Sequence, residues 1–277
     1  MAELAVGVVE EKAVRQPALF PPHGGGPCFF MDWTWGPADT WEKTRDFLAG
    51  LAATLAAQPK AMVVVSGHWE EAAFTVSTAE RPGMIYDYSG FPEHTYRLSW
   101  PAPGSPELAA RVLELLKAAG LPAATAERGY DHGTFVPLMV AFPEAEIPVV
   151  TVSLQRNLDP ALHLAAGKAL AALRDEGVLI VGSGNSWHNL RGYMQADTLR
   201  VSQAFDDWLT PAVLAGPGER EELLKHWVEA PYALAAHPRE EHLLPLMVAA
   251  GAGDGDRAER IFTDSPMRAV ISAYRFG

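Results

Sequence analysis

Residues 178–190 read VLIVGSGNSWHNL, and this segment indicates the fold of the chain. Its first four residues form a near-continuous apolar run, which is typical of a strand that is buried on both faces of a parallel sheet. A small polar run, residues 182–186, ends the strand shortly before His188. Open α/β sheets bind their ligands beyond the carboxyl ends of the strands, so His188 is a candidate for chemistry. The alternative is a histidine that only caps the next helix.

Other histidines occupy similar breaks in the pattern. The apolar run AMVVVS, residues 61–66, predicts a second buried strand, and His68 follows it after a single glycine. His23 follows a short apolar run and precedes three glycines, which let the backbone approach a neighbouring group closely. Two buried strands therefore each deliver a histidine into the loop that comes next. Further histidines at breaks between elements are His132, His237 and His242.

The rest of the chain alternates between strand and helix patterns. This alternation predicts one α/β domain over residues 1–277, with a central mixed sheet flanked by helices on both faces. Residues 1–16 are expected to be a loosely attached segment. A loop rich in Pro, Gly and Tyr, residues 81–105, is longer than most connections and is expected to cover or line the site. The further predicted strands are 73–77, 147–154 and 268–276, and the predicted helices are 40–57, 105–119, 159–174, 198–214 and 219–229.

The composition narrows the class of partner and the compartment. The formal net charge of −12 disfavours nucleic acid and anionic membranes as partners. The single cysteine, Cys28, excludes an internal disulfide framework and cysteine-rich metal sites, so a reducing cytoplasm is expected. No apolar run is long enough to span a membrane, and the first residues are acidic where a signal peptide is basic. We expect a soluble cytoplasmic protein with small-molecule partners, as a monomer or small homo-oligomer.

Histidines without cysteine partners suit a mononuclear site for Zn²⁺ or Fe²⁺, because both ions accept imidazole. Structural histidines are the alternative. A serine hydrolase is disfavoured, since the GSGNS segment lacks the Gly-x-Ser-x-Gly turn that carries the nucleophile. The glycines at 24–26 have neither the Walker spacing nor the dinucleotide pattern, so they do not predict a phosphate loop.

Several motifs together resemble one enzyme family. They are, in chain order, HGGGP at His23, SGHWE at His68, FPEHTYRLSWPAPGSP, YDHGTFVPL at His132, GSGNSWHNL at His188 and EEHLLPL at His242. Their order and approximate spacing resemble those of the class III extradiol ring-cleavage dioxygenases of the 4,5-DOPA dioxygenase type. These enzymes are similar to the catalytic subunit of protocatechuate 4,5-dioxygenase. The resemblance covers residues 17–276.

The resemblance implies a role for each motif histidine. His23, His68 and His242 would bind the metal. His188 would be the acid/base residue, which can also lie close enough to the metal to count as a fourth ligand. His132 would be a second pocket histidine that hydrogen-bonds substrate or oxygen.

The resemblance also implies a cofactor and a substrate class. Fe(II) would serve activity, and Zn(II) is a plausible occupant of purified protein. The substrates would be O₂ and a catechol with a small para side chain, such as DOPA or a caffeate-like acid, opened at the 4,5 or the 2,3 bond. Trp33 and Tyr130 are expected to stack on the ring, and Arg97 is expected to meet a side-chain carboxylate.

Two other functions use the same residues. A zinc-dependent hydrolase or amidase would attack its substrate with a metal-activated water. A non-catalytic binding protein of the same fold is the other alternative. The complete histidine set argues against the binding protein, and the lack of a glutamate base beside a helical histidine pair argues against the hydrolase.

Overall fold

The computed structural model describes residues 13–277, and most of the predicted N-terminal segment therefore lies outside the described residues. Eight strands and eight α-helices follow one another over this part of the chain. The strands are β1 Ala18–Phe20, β2 Ala61–Glu71, β3 Phe74–Ser77, β4 Ala123–Ala126, β5 Val149–Gln155, β6 Val178–Ser183, β7 Ala258–Asp264 and β8 Ile271–Phe276. The helices are α1 Glu42–Leu51, α2 Pro106–Ala118, α3 His132–Ala141, α4 Pro160–Asp175, α5 Thr198–Leu214, α6 Pro217–Lys225, α7 Ala233–Ala236 and α8 Leu244–Ala252.

The strands form one mixed sheet in the order β4-β3-β5-β2-β6-β1-β8-β7. The pairs around β2 and β6 are parallel, whereas β8 runs antiparallel to both of its neighbours. Alternate residues of β2 enter two separate apolar cores, with Val63 in one core and Val64 in the other. Helices α2, α4, α5 and α8 cover the first face, and α1 and α3 cover the second. The predicted α/β domain with helices on both faces of a mixed sheet is confirmed.

Strand β6 lies at the centre of the site-forming edge, between β2 and β1. Val63 pairs with Ile180, and Leu19 pairs with Val181, so the three strands are parallel and in step. Their carboxyl ends therefore lie side by side at the same edge of the sheet. This arrangement brings together the segments that follow β1 and β6 and the last residues of β2, each of which carries a motif histidine.

Several predicted boundaries differ from the structure. β2 was expected to end before His68, but it continues to Glu71, because a bulge between Val65 and Glu70 lets pairing with β5 resume. Helix α1 is shorter than predicted and passes into a 3₁₀ turn. The sequence pattern also missed β4, β7 and α8. Helix α8 is buried on all sides and apolar throughout, so it has no amphipathic period.

The N-terminal edge of the described part is tied to the domain. Gln16 is buried, and its backbone N–H donates to the carbonyl oxygen of Arg174 at 3.0 Å. Arg15 forms an ion pair with Asp175 at 2.5 Å. Within residues 13–277, no helix combines the length and the apolar character needed to cross a bilayer.

Candidate metal centre and active site

Three of the predicted ligands converge at the carboxyl edge of the sheet. His23 lies three residues beyond β1, His68 lies near the end of β2, and His242 lies just before α8. One nitrogen from each ring is within 4.8 Å of one nitrogen of each other ring. The ring centroids are 4.7 to 5.1 Å apart, and His23 and His242 are fully buried. The three imidazoles therefore form one compact cluster.

Glycines allow the His242 segment to reach this edge. A Cβ at Gly184 would collide with the carbonyl oxygen of His242, and a Cβ at Gly67 would press on the backbone of residues 241 and 242. The backbone N–H of Asn185 donates to the carbonyl oxygen of His242 at 3.1 Å. Small residues after β6 and within β2 are thus required by a backbone segment that lies directly against them.

Two carboxylates select which nitrogen each histidine presents. Nδ1 of His242 lies 2.9 Å from Oε1 of Glu241, and Nδ1 of His68 lies 3.3 Å from a carboxylate oxygen of Asp87. A carboxylate at Nδ1 holds the proton there and leaves Nε2 free to bind a metal. The two Nε2 atoms are 3.1 Å apart. Nitrogens about 2.1 Å from one shared ion, on neighbouring coordination positions, have about this separation.

The three histidines are also in the neutral form that a metal ion requires. Burial lowers the pKa of His23, His68 and His242 well below the usual value, and the charges of neighbouring histidines lower it further. Neutral imidazoles are the form that binds metal. Nδ1 of His23 is buried and has no hydrogen-bond partner among the described residues. A cluster of neutral imidazoles without a thiolate fits Zn²⁺ or Fe²⁺.

Asp87 is a site residue that the sequence reasoning missed. One of its carboxylate oxygens accepts both the backbone N–H of His132 at 3.0 Å and Nδ1–H of the same residue at 2.8 Å. Burial alone would raise the pKa of Asp87, but the hydrogen bond and charge of His132 and the charge of His68 lower it to about 2. The signal available in the sequence was its position in the long loop that was expected to line the site.

His132 begins α3 and lies directly beside the three-histidine cluster formed by His23, His68 and His242. The side chain of Asp131 caps this helix by accepting the backbone N–H of Thr134 at 3.0 Å. The ring of His132 is 3.9 Å from that of His68, centroid to centroid. Because Asp87 occupies its Nδ1, His132 presents Nε2 to a ligand.

The ring of His188 stacks on the ring of His242, which belongs to the three-histidine cluster. Its ring centroid is 3.4 Å from that of His242, at an interplanar angle of 15°. Nδ1 of His188 is 3.5 Å from Oε1 of Glu241, so that carboxylate contacts both rings. One ring nitrogen of His188 lies within 4.8 Å of possible ligand atoms of Glu241 and His242. His188 is not part of the corresponding group formed by His23, His68 and His242. Its role as a fourth ligand stays a prediction.

The loop that carries His188 is fixed by the segment around α7. The backbone N–H of His188 donates to the carbonyl oxygen of Ala236, and Nε2 of His237 lies 3.0 Å from the carbonyl oxygen of Ser186. His237 is fully buried and packs against Phe205 and Trp227. It belongs to none of the groups of possible ligands found among the described residues. It therefore supports the loop rather than the metal.

A cavity of about 520 Å³ opens next to these histidines. The predicted loop contributes Asp87, Tyr88, Ser89 and Phe91 to its wall, which confirms that this loop lines the site. Trp33 also lines the cavity, and Trp35 lies beside it with ring centroids 5.1 Å apart. Stacking of Trp33 on the substrate ring stays a prediction. The other lining residues are His23, Gly24, Gly25, Gly26, His68, His132, His188, Leu190, Tyr193 and Met267.

Two residues expected at the substrate lie elsewhere. Tyr130 is fully buried in the core against Trp100, and its hydroxyl lies 3.2 Å from the carbonyl oxygens of Pro103 and Val149. Arg97 lies on a 3₁₀ turn with 74% of its side chain exposed, where it pairs with Glu93. Neither residue lines the cavity. Both expectations were wrong, because sequence proximity to His132 and to an aromatic loop does not fix the direction of a side chain.

The fold and the site together define an α/β protein with a cluster of three histidines that could hold a metal ion, beside an aromatic cavity. Residues 17–276 match the family described as the catalytic LigB subunit of aromatic ring-opening dioxygenase. The chain is 44% identical to the 4,5-DOPA dioxygenase extradiol of Beta vulgaris over 209 residues, which are 74% of this chain and 77% of that protein. It is 35% identical to the protein of the same name from Escherichia coli K12 over 247 residues, or 88% and 87% of the two chains.

A solved structure is also similar. The crystal structure of an uncharacterized protein from Escherichia coli K12 aligns with 95% of this chain and 100% of its own, at a TM-score of 0.73 and 32% identity. The chain belongs to the LigB family of aromatic ring-opening dioxygenases. It is therefore an enzyme of the extradiol ring-opening class, and this membership disfavours the hydrolase and the non-catalytic binding protein.

Proposed function

We propose that the protein is a non-haem Fe(II)-dependent dioxygenase that opens the ring of a catechol with O₂. The observation that carries this proposal is the cluster of neutral His23, His68 and His242 at the wall of an aromatic cavity. His23, His68 and His242 would hold Fe(II) with coordination positions left open, and the ion would supply the redox chemistry between a catechol and O₂. Zn(II) would fit the same ligands and is proposed as an alternative occupant of purified protein.

His132 would orient the substrate. Its Nδ1 lies 2.8 Å from Asp87, so its Nε2 is the ring nitrogen left to face the cavity. In the neutral ring with the proton at Nδ1, Nε2 would take a hydrogen bond, or the proton itself, from a catechol hydroxyl. The carboxylate of Asp87 would stabilise the positive charge that His132 gains.

His188 would move the second proton of the reaction. It lines the cavity, and its Nδ1 faces Glu241, so Nε2 remains to exchange a proton with the bound substrate. Stacking on His242 holds the ring of His188 beside the three-histidine cluster. A positioned proton-transfer group of this kind contributes about 10²–10⁴-fold to the rate.

The aromatic wall would hold the ring and exclude water. Trp33 and Tyr88 line the cavity, and the centroid of Tyr88 is 5.6 Å from that of His132. A flat catechol ring would pack against such faces. We further propose that the protein acts in the cytoplasm as a monomer or small homo-oligomer.

The test is ring opening after anaerobic loading with Fe(II). We expect oxygen uptake and the absorbance of a ring-opened product from at least one catechol. His68→Ala should lose bound iron and turnover together while the fold is retained. The matched control is His226→Ala, since His226 is an exposed histidine at the end of α6 and is not part of the three-histidine cluster. Iron-loaded protein that opens no catechol would reject the proposal.

A further inference from the structure

The cavity beside the three-histidine cluster is lined by a carboxylate and by no lysine or arginine among the described residues. Among the lining residues, Asp87 is the one that carries a carboxyl group. A second carboxylate, Glu241, lies behind His188 and His242. A negatively charged group on a substrate would meet these two carboxylates and no lining cation other than the metal.

Two arginines beside the site, Arg239 and Arg128, are already paired. Arg239 forms an ion pair with Glu70 at 2.5 Å and lies 3.4 Å from Glu241. Arg128 lies 3.4 Å from the carboxylate of Asp131 and stacks over Trp69. None of these groups is available to neutralise a carboxylate in the cavity.

Two polar groups of the wall, those of Tyr88 and Asp87, already have partners within the protein. The hydroxyl of Tyr88 donates to the carbonyl oxygen of Thr95 at 2.6 Å, so this residue presents its ring to the cavity. The carboxylate of Asp87 already holds His132 and His68. An ammonium group on a substrate would have to compete with those contacts.

The mouth of the cavity is apolar and exposed. Leu190 is 74% exposed and Trp35 is 54% exposed, although both line the cavity. The ring of Trp35 contacts Trp33 and Phe91, with centroids 5.1 and 5.4 Å away. Aromatic and aliphatic surface is thus continuous from the outer rim to the inner wall. An apolar group placed along it would remove this surface from water, which is favourable.

We infer that the substrate is a catechol whose para substituent is uncharged and apolar. The catechol ring would lie at the three-histidine cluster. The substituent would run to the mouth of the cavity along four side chains, those of Trp33, Phe91, Trp35 and Leu190. This inference rests on the proposed function. It departs from the expectation of a DOPA or caffeate-like acid, because Arg97, the cation assigned to the acid, points into solvent.

A matched pair of substrates tests the inference. The acid is 3-(3,4-dihydroxyphenyl)propanoate, and its partner is the methyl ester of the same acid. With Fe(II)-loaded protein, kcat/KM should be at least about tenfold higher for the ester, since only the acid brings a charge near two carboxylates. Across 4-alkylcatechols, kcat/KM should rise about fourfold for each methylene that the cavity buries. Equal values for acid and ester would overturn the inference.

A charge placed at the mouth gives a second readout. Leu190→Lys removes little packing, since Leu190 is mostly exposed, and should lower the ester-to-acid ratio at least about fivefold. Leu234→Lys is the matched control, because Leu234 is 64% exposed and lies outside the cavity. Arg97→Ala should leave the ratio unchanged. An ester-to-acid ratio that rises in Arg97→Ala and stays unchanged in Leu190→Lys would return the carboxylate to Arg97.

Binding separates this inference from the proposed function. Zn(II)-loaded protein is redox-inactive, so the affinities of acid and ester can be measured by calorimetry without turnover. Tighter binding of the ester together with no ring opening by iron-loaded protein would support the apolar cavity and reject the dioxygenase proposal. Ring opening with equal binding of acid and ester would do the reverse.

Discussion

Asp87→Asn should weaken both metal binding and turnover, because this carboxylate contacts His68, a proposed metal ligand, and His132, which lines the cavity. In the native protein, one oxygen accepts two hydrogen bonds from His132, at 3.0 and 2.8 Å, and the other lies 3.3 Å from Nδ1 of His68. The amide can keep the bonds to His132 through its oxygen. Its NH₂ group would then face the Nδ1–H of His68, so donor would meet donor.

The expected loss follows from these contacts. His68 could avoid the mismatch by moving its proton to Nε2, but that nitrogen faces Nε2 of His242 at 3.1 Å and is the one needed for the metal. Hydrogen bonds to a charged acceptor exceed neutral ones by about 1 kcal/mol each. The contact to His68 is the one that bears on the metal, and losing an outer-shell carboxylate of this kind costs about 10–100-fold in metal affinity.

The assay is competition for Zn(II) against a chelator of known affinity, followed by ring-opening kinetics with Fe(II). Asp46→Asn is the matched control, since Asp46 lies on α1 with 74% of its side chain exposed. Metal affinity and kcat/KM for Asp87→Asn within about twofold of the control would refute the reasoning.

Three further predictions follow from other parts of the structure. His188→Gln should retain iron yet lose about 10²–10⁴-fold in kcat, and normal turnover in this variant would remove His188 from proton transfer. Gly184→Ala should lower both thermal stability and metal content, because its Cβ would collide with the backbone at His242; unchanged metal content would contradict the close packing there. His163 accepts the backbone N–H of Gln155 at Nε2, and burial lowers its pKa to about 4, so the stability it contributes is present above about pH 6.5 and is lost as the pH falls toward 4. Urea unfolding should show the parent losing about 2 kcal/mol more than His163→Gln between about pH 7.5 and about pH 5, whereas equal losses would show that His163 is not buried as a neutral ring.

The sequence pattern predicted the centre of the fold better than its edges. β2 and β6 are buried on both faces and therefore appear as continuous apolar runs. β7 was missed because it is an edge strand with exposed charged residues, and α8 because a helix buried on all sides has no polar face. Periodicity reports burial, and these two elements are at its extremes.

The site was predictable to the extent that its residues carry motifs. The five histidines of the cluster and the cavity wall all stand in recognisable segments, and the structure brings them together. Asp87 and Glu241 were not assigned roles, because their function lies in contacts to Nδ1 atoms that only the folded chain creates. Tyr130 and Arg97 were misassigned for the same reason, since the direction of each side chain depends on tertiary packing.

The central claim is that His23, His68 and His242 hold one divalent ion. The direct measurement is the anomalous difference density of crystals grown anaerobically with Fe(II) or with Zn(II). The account predicts a single strong peak among the three rings, with a nitrogen of each about 2.0–2.1 Å from the ion if it is zinc. A peak between His188 and Glu241 that leaves His23 unbound, or no ordered ion near the three rings, would contradict it.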